Sequence, residues 1–352
     1  MPAVVARRDG EGWRLEGWWP DVQLANRFLA HLSTRAFSPA TVRAYAYDLV
    51  NFGRFCVKRG VGIADAVATD FFDYLDWQAQ PKPSAGARVV RLADRQGPAP
   101  ATLNRRIAAV RGLLEFAVTT GVRSENPVPA ARRSSGLRPR QRGLLGHIGP
   151  GRSRTGGRLV RQPRRLPESL NAAEVAAFVA DLATHRDRAI ALGMLLGGLR
   201  AAEVRSLRLA DVDQGLRRLR VVGKGGRERM VPVDRAFFAE LAGYLQRERP
   251  PGCATAECFV VLRGPTVGRS LSEAGLRKIF RVHRVRSGAT RVRPHRLRHT
   301  YGTELAAAGI DLLVLRELMG HASPETTAGY VHLSAATLAA EYAKARAREA
   351  RR

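Results

Sequence analysis

The 352-residue sequence predicts a mainly α protein of two domains, the second carrying one small antiparallel sheet. Three observations lead there. Apolar residues recur at helical spacing through both halves of the chain. Two alternating runs flank a tight glycine-rich turn in the second half. Between the halves, Arg132 to Arg165 holds eleven arginines, many glycines and prolines, and no acidic residue.

Taken in order, residues 1–21 show no clear periodicity and read as a loose lead-in. From Val22 the pattern is helical, with Leu24, Phe28 and Leu32 every four residues. Ser38-Pro39 reads as an N-cap followed by proline in the first turn, where a missing N–H costs nothing. Val42, Tyr45, Leu49, Phe52 and Cys56 follow on one helical face, as do Leu103, Ile107, Val110, Leu114 and Ala117 in TLNRRIAAVRGLLEFAV. Residues 22–126 are therefore expected to form a helical domain interrupted by a polar insertion at 80–100. The linker, 127–166, buries too little apolar surface to fold alone. The second domain is expected over 167–334, opening with a capping box at Asn171 and Glu174. An apolar helix, RAIALGMLL, ends at Gly197-Gly198, and another starts near Leu199 and runs through EVRSLRL. LRRLRVV and RERMVPV flank the turn Gly223-Lys224-Gly225-Gly226. Helices are expected at 235–247, 271–284, 296–308, 311–319, 324–332 and 335–348, the last forming a terminal helix or tail over 335–352.

Composition narrows the function. Fifty-nine Lys+Arg against 31 Asp+Glu give a net charge of +28, which calls for a polyanionic partner. Lysines number five (Lys58, Lys82, Lys224, Lys278, Lys344), so a lysine at a special position stands out. Three scattered cysteines make no disulfide framework and no zinc site. No apolar run suits a membrane span or a secretory signal, and a cytoplasmic protein is expected.

Six polar positions then line up: Arg200 after Gly197-Gly198-Leu199, Lys224 at the hairpin tip, His295 and Arg298 in PHRLRHT, His321 after Gly320, and Tyr330 nine residues on. Each alone is commonplace. An arginine at a helix start is usually a surface charge, and a lone tyrosine is usually packing. Together, in this order and with these flanks, they resemble the tyrosine recombinase (phage integrase) family. GGLRAAEVRSLRLADVD, VVGKGGRERMVPV, PHRLRHTYGTELAAAG and LMGHASPETTAGYVHLS carry the resemblance over 168–345. SPATVRAYAYDLVNF and ATLNRRIAAVRGLLEFAV extend it more weakly to 22–126. The insertion and the long linker exceed the compact members. The resemblance implies a SAM-like core-binding domain followed by a catalytic domain of the DNA breaking-rejoining fold.

It also implies the chemistry. A phosphodiester repels nucleophiles, and two arginines supply planar, permanently charged, bidentate partners for its oxygens. Arg200 and Arg298 would stabilise the pentavalent transition state. Tyr330 would attack phosphorus and leave a 3′-phosphotyrosyl enzyme, with its phenol, of free pKa about 10, helped by His295. Lys224 would protonate the departing sugar oxygen, and His321 would donate a hydrogen bond to the phosphate. Glu203, one turn after Arg200, would orient the site, and His332 would support it locally. No metal, cofactor or ATP is expected. Double-stranded DNA with a specific recombination site is the expected partner, contacted by Arg43, Arg105, Arg106, Arg111, Arg277 and Lys278. The resemblance further implies a homotetramer on DNA, coupled by a terminal helix with an apolar face of Leu338, Ala339 and Tyr342 docking in trans. Accessory DNA-bending or directionality proteins, and a bacterial, nucleoid-associated setting, belong to the same expectation. Three alternatives stay open: a type IB topoisomerase, a non-catalytic DNA-binding regulator, which predicts a broken residue set, and a general RNA- or membrane-surface-binding basic protein, which charge alone permits.

Overall fold

The computed structural model describes residues 3–10, 12–80, 97–129, 160, 169–223 and 225–321. The chain divides into two compact units, 1–164 and 165–352, each with its own apolar core. Both are mostly helical, as the sequence predicts, and each carries a small antiparallel sheet, where the sequence predicts one in the second unit alone. Among the described residues no helix is long and apolar enough to cross a membrane.

The first unit opens with a difference from the sequence reading. The supposed lead-in is a β-hairpin, β1 (Val5–Asp9) paired antiparallel with β2 (Gly12–Glu16). One face carries Arg7 and Glu16, which form an ion pair, and this charge hid the strands from a search for apolar alternation. The other side is fixed to the domain. Asn26 accepts from the Leu15 N–H and donates to the Leu15 carbonyl, and the Arg54 guanidinium donates to the Val4 carbonyl. Trp19 then lies against Gly53, where a Cβ would stand 2.7 Å from the indole.

Four helices complete this unit: α1 (Val22–Thr34), α2 (Pro39–Arg59), α3 (Ala68–Ala79) and α4 (Pro100–Thr119). Ser38 caps α2 by accepting from the Thr41 N–H, as expected. The periodic residues Leu24, Phe28, Leu32, Val42, Leu49, Phe52, Cys56, Ile107, Val110, Leu114 and Ala117 all lie in the core. Most of the 80–100 insertion and nearly all of the linker fall outside the described residues.

The second unit contains α5 (Ala172–Asp181), α6 (His185–Leu196), α7 (Ala201–Ser206), α8 (Arg235–Arg247), α9 (Glu273–Arg286), α10 (Pro294–Ala307) and α11 (Leu312–Met319). Asn171 and Glu174 form the expected capping box at α5. A three-stranded antiparallel sheet, ordered β3 (Val212–Asp213), β4 (Arg218–Val222), β5 (Glu228–Pro232), sits between α7 and α8 in the chain. The two-residue β3 is too short to leave a sequence signal. Strands β4 and β5 alternate as expected, pointing Leu219, Val221 and Val231 into the core. After its first turn, His185–Arg188, helix α6 is apolar all round and is buried accordingly, through Ala189, Ile190, Ala191 and Met194. Helix α7 ends sooner than the sequence suggested and gives way to a 3-10 turn at Leu209–Asp211.

Candidate active site

The site begins where α6 stops. Gly198 has φ of +60°, and a Cβ there would lie 2.5 Å from the Tyr301 ring, so both backbone and space demand glycine. Leu199 plugs the core next door, and Arg200 becomes the N-cap residue of α7. Three residues on, Glu203 reaches back and accepts from the Arg200 N–H at 2.8 Å. The Gly-Gly-Leu-Arg-x-x-Glu run thus folds locally into a turn that sets one arginine beside one acid.

Glu203 is the hub. It is 5 % exposed, and its two oxygens are crowded with donors. Arg200 Nη1 donates to Oε1 at 2.6 Å, Arg229 Nη1 donates to Oε1 at 3.0 Å, and Arg229 Nη2 donates to Oε2 at 2.9 Å. Arg298 Nη1 stands 3.9 Å from Oε2. Burial alone would raise the carboxyl pKa, but the Arg229 hydrogen bonds, the Arg200 N–H and the nearby charges overcome it and hold it down at about 2. Glu203 is therefore a fixed anion at neutral pH. It orients guanidinium groups and is a poor proton carrier.

The arginines meet again at the C-terminal end of α11. Three successive carbonyls there would otherwise lack helical partners. Arg229 Nε donates to the Leu318 carbonyl at 3.0 Å, Arg298 Nη2 donates to that of Met319, and Arg200 Nη2 donates to that of Gly320 at 2.8 Å. Positive charge at a helix C-terminus is also favoured by the helix dipole. Arg298 in turn reaches the Gly198 carbonyl, closing a ring from α6 to α10 to α11. Gly320 leaves α11 with φ of +57°, and the next residue is His321. Burial, then the charges of Arg298, Arg200 and Arg229, lowers the His321 pKa to about 4, so its ring is neutral at pH 7.

Helix α10 starts at Pro294, which fits the first helical position. His295 and Arg298 lie one turn apart on it. Arg298 is buried, while His295 keeps much of its surface open to solvent. Partial desolvation, then Arg293, Arg296 and His299, lowers the His295 pKa, which also favours a neutral ring.

Of the sequence-derived set, Arg200, Glu203, Arg298 and His321 come together, with His295 one turn away. Lys224 lies outside the described residues, between Gly223 and Gly225. Gly223 abuts the hub, since a Cβ on it would lie 3.6 Å from Arg229 Nη1 and 3.7 Å from Glu203 Oε1. Tyr330, His332, the helices expected at 324–332 and 335–348, and the face of Leu338, Ala339 and Tyr342 also lie outside the described residues. Sequence reading passed over Arg229. A signal existed: in RERMVPV it falls in phase with inward-facing Val231, an unusual place for an arginine unless a buried acid awaits it.

The six suggested DNA-contacting residues divide by what they touch. Arg43 is exposed and lies over the rings of Trp13 and Tyr47 at 5.5 and 5.9 Å. Arg105 donates to buried Asp48 at 2.6 Å. Arg106 donates to the Gln78 side-chain oxygen Oε1 at 2.8 Å, and Arg111 to the Pro129 backbone carbonyl at 2.7 Å. Arg277 pairs with Glu273 on the surface of α9, and Lys278 beside it is exposed.

Two family models match the chain: the phage integrase family over residues 168–337, and the phage integrase N-terminal SAM-like domain over 25–121. Tyrosine recombinase XerC of Chromohalobacter salexigens is 34% identical over 333 residues, covering 93% of this chain and 96% of that protein. Tyrosine recombinase XerD of Mycobacterium tuberculosis is 30% identical over 319 residues, covering 86% and 90%. Among solved structures, the Tn1549 transposon integrase in complex with circular intermediate DNA superposes with TM-score 0.61 at 16% identity, covering 91% of this chain and 98% of that one. XerH recombinase bound to a palindromic difH substrate gives TM-score 0.59 at 20% identity, covering 88% and 82%. These two likenesses concern the fold.

Proposed function

We propose that this chain, which belongs to the tyrosine recombinase (phage integrase) family and so is a site-specific DNA recombinase, cuts and rejoins strands with Tyr330 as nucleophile and the arginines around Glu203 as its phosphate-stabilising charge. The observation that carries this reading is the convergence of Arg200 and Arg298 on one buried carboxylate, at the helix end from which His321 and then the Tyr330 segment follow. Preorganised cations of this kind act on charge that develops during the reaction, and they need no rearrangement when it appears.

The steps follow from the residue types. The Tyr330 oxygen attacks phosphorus, its proton passing toward neutral His295. The bond from phosphorus to the 5′ oxygen breaks, and Lys224 gives that oxygen a proton. Arg200 and Arg298 neutralise the extra charge on the non-bridging oxygens. His321, neutral at pH 7, serves as a hydrogen-bond donor and adds no further cation. The phosphotyrosyl ester conserves the energy of the broken bond, so a free 5′-hydroxyl from another strand can reverse the step without ATP. Guanidinium charge takes the place that a metal ion holds in other phosphoryl-transfer sites.

The same reading extends to the partners. Phosphate contacts from Arg43, Arg105, Arg106, Arg111, Arg277 and Lys278 would set register on duplex DNA, and base contacts would specify the site. Relatives described as bound to their DNA substrates make a DNA-bound assembly the natural setting, and a homotetramer with a terminal helix docked in trans is the form we favour. A helical domain of 22–126 extended at its front by the β1–β2 hairpin, a catalytic domain of 167–334, accessory DNA-bending or directionality proteins, and a nucleoid-associated place in a bacterial cytoplasm complete the proposal.

The test uses supercoiled DNA carrying the sequences that flank the gene, and fragmented DNA of the source cell. Wild type and Tyr330→Phe are incubated with each, denatured, and assayed for protein joined to 3′ ends. A wild-type adduct that is missing in Tyr330→Phe is expected. An adduct that persists in Tyr330→Phe would overturn the nucleophile assignment.

A further inference from the structure

Arg229 lies on β5 and is 8 % exposed. It makes three hydrogen bonds in one fork: Nη1 and Nη2 to the two oxygens of Glu203, and Nε to the Leu318 carbonyl. From those contacts we infer that Arg229 is a positioning residue for strand cleavage. It fixes the Glu203 carboxylate and the end of α11 together, and through them sets Arg200, Arg298 and His321 before the scissile phosphate arrives. The inference rests on the strand-transfer reading above.

Lone-pair occupancy explains the effect. A carboxylate offers about four acceptor sites. Arg229 fills one on each oxygen, the Arg200 guanidinium fills another on Oε1, and the Arg200 N–H fills another on Oε2. Arg298 is left at 3.9 Å, near the anion without a short bond to it. Removing Arg229 opens one site on each oxygen. Arg200 already holds its sites, so Arg298, the next cation out, would close on Glu203 and leave the position from which it meets phosphate.

The second half of the fork acts on α11. Holding the Leu318 carbonyl places the next two, on Met319 and Gly320, for Arg298 and Arg200. Gly320 makes room for this, because a Cβ there would lie 2.9 Å from Arg229 Nη1. One buried side chain therefore ties α7, β5 and the start of the His321 segment into a single geometry. A lysine could supply the charge but not the planar three-bond fork.

The probe is the duplex that wild type itself traps covalently from fragmented DNA of the source cell. Single-turnover adduct formation is measured at saturating duplex for wild type, Arg229→Lys, Glu203→Gln and the double variant, with duplex affinity and unfolding recorded in parallel. Arg229→Lys is expected to bind within about threefold of wild type yet cleave ~100-fold more slowly, the loss that a misplacement near 1 Å brings. The double variant should be no slower than the slower single variant, because both act through one contact. Wild-type cleavage by Arg229→Lys, or multiplication of the two single losses in the double variant, would overturn the inference. So would loss of affinity and fold in step with the rate. Should Arg229→Lys fail to fold, Gly320→Ala decides: its new methyl must displace the guanidinium, and a wild-type cleavage rate there would also overturn the inference. Failure of wild type to trap any DNA would instead sink the strand-transfer reading, and this inference with it.

Discussion

Two buried carboxylates that sit among arginines, Asp48 in the first unit and Glu203 in the second, respond in opposite ways. Asp48, on α2 of the first unit, is 2 % exposed and receives Arg105 at 2.6 Å, with Arg106 at 3.8 Å. Burial dominates there, ahead of the attraction of both arginines, and pushes its pKa up to about 6. Glu203, equally buried, is held at about 2. The difference is the number of short hydrogen bonds. Glu203 has four from two guanidinium groups and a backbone N–H, whereas Asp48 has one from an arginine that is itself 45% exposed. A nearby charge does not make a buried anion comfortable; a filled set of donors does. The first unit therefore has an arginine-acid pair at its surface edge, and the second has a fixed anion on which a phosphate-binding pair is built.

The contrast breaks most visibly at Glu203. Glu203→Gln leaves the Arg229 charge buried without its partner, and breaking a buried pair in this way costs about 3 kcal/mol. Chemical unfolding at pH 7, with amide exchange on β5 and α11, measures it. The pH dependence has a defined sign. A carboxylate whose folded pKa falls from 4.5 to about 2 contributes stability that is fully present above 4.5 and is lost as pH drops toward 2. That acid limb should shrink in Glu203→Gln, and an unchanged limb would contradict the hub.

Asp48 should behave in the reverse sense and more weakly. Its folded pKa is raised from 3.8 to about 6, so its contribution is fully present below 3.8 and is lost as pH rises through 6. Asp48→Asn should remove this loss, so its stability should fall less than that of wild type between pH 4 and 7. The four tryptophans, Trp13, Trp18, Trp19 and Trp77, all lie in the first unit, so fluorescence-detected melting between pH 4 and 7 reads this unit alone. A wild-type first unit that gains stability over that range would contradict the assignment.

Much of this was legible in the sequence, for local reasons. Ser38-Pro39 and the Asn171–Glu174 box mark helix starts through contacts within four residues, and both caps are present. Gly198 and Gly320 were legible as flanks of the two halves of the site because their left-handed backbones favour glycine. Charge masked what the sequence did not reveal. The hairpin of β1 and β2 shows Arg7, Arg14 and Glu16 to solvent, so its few inward residues, Val4 and Leu15, make no pattern on their own. Arg229 looked like one more arginine in a chain crowded with them. The three-carbonyl clasp joins residues as far apart as Arg200 and Gly320, a pairing that tertiary structure alone creates.

The most direct test compares the two units by chemistry. Arg298→Ala and Asp48→Asn are assayed side by side for single-turnover cleavage of the trapped duplex at saturating DNA. We expect Arg298→Ala to lose ~10²–10³ in rate, the usual effect of removing one preorganised donor to a transition state, while Asp48→Asn cleaves within about threefold of wild type. An Arg298→Ala enzyme that cleaves at the wild-type rate, or an Asp48→Asn enzyme that fails to the same degree, would contradict the division of labour drawn here.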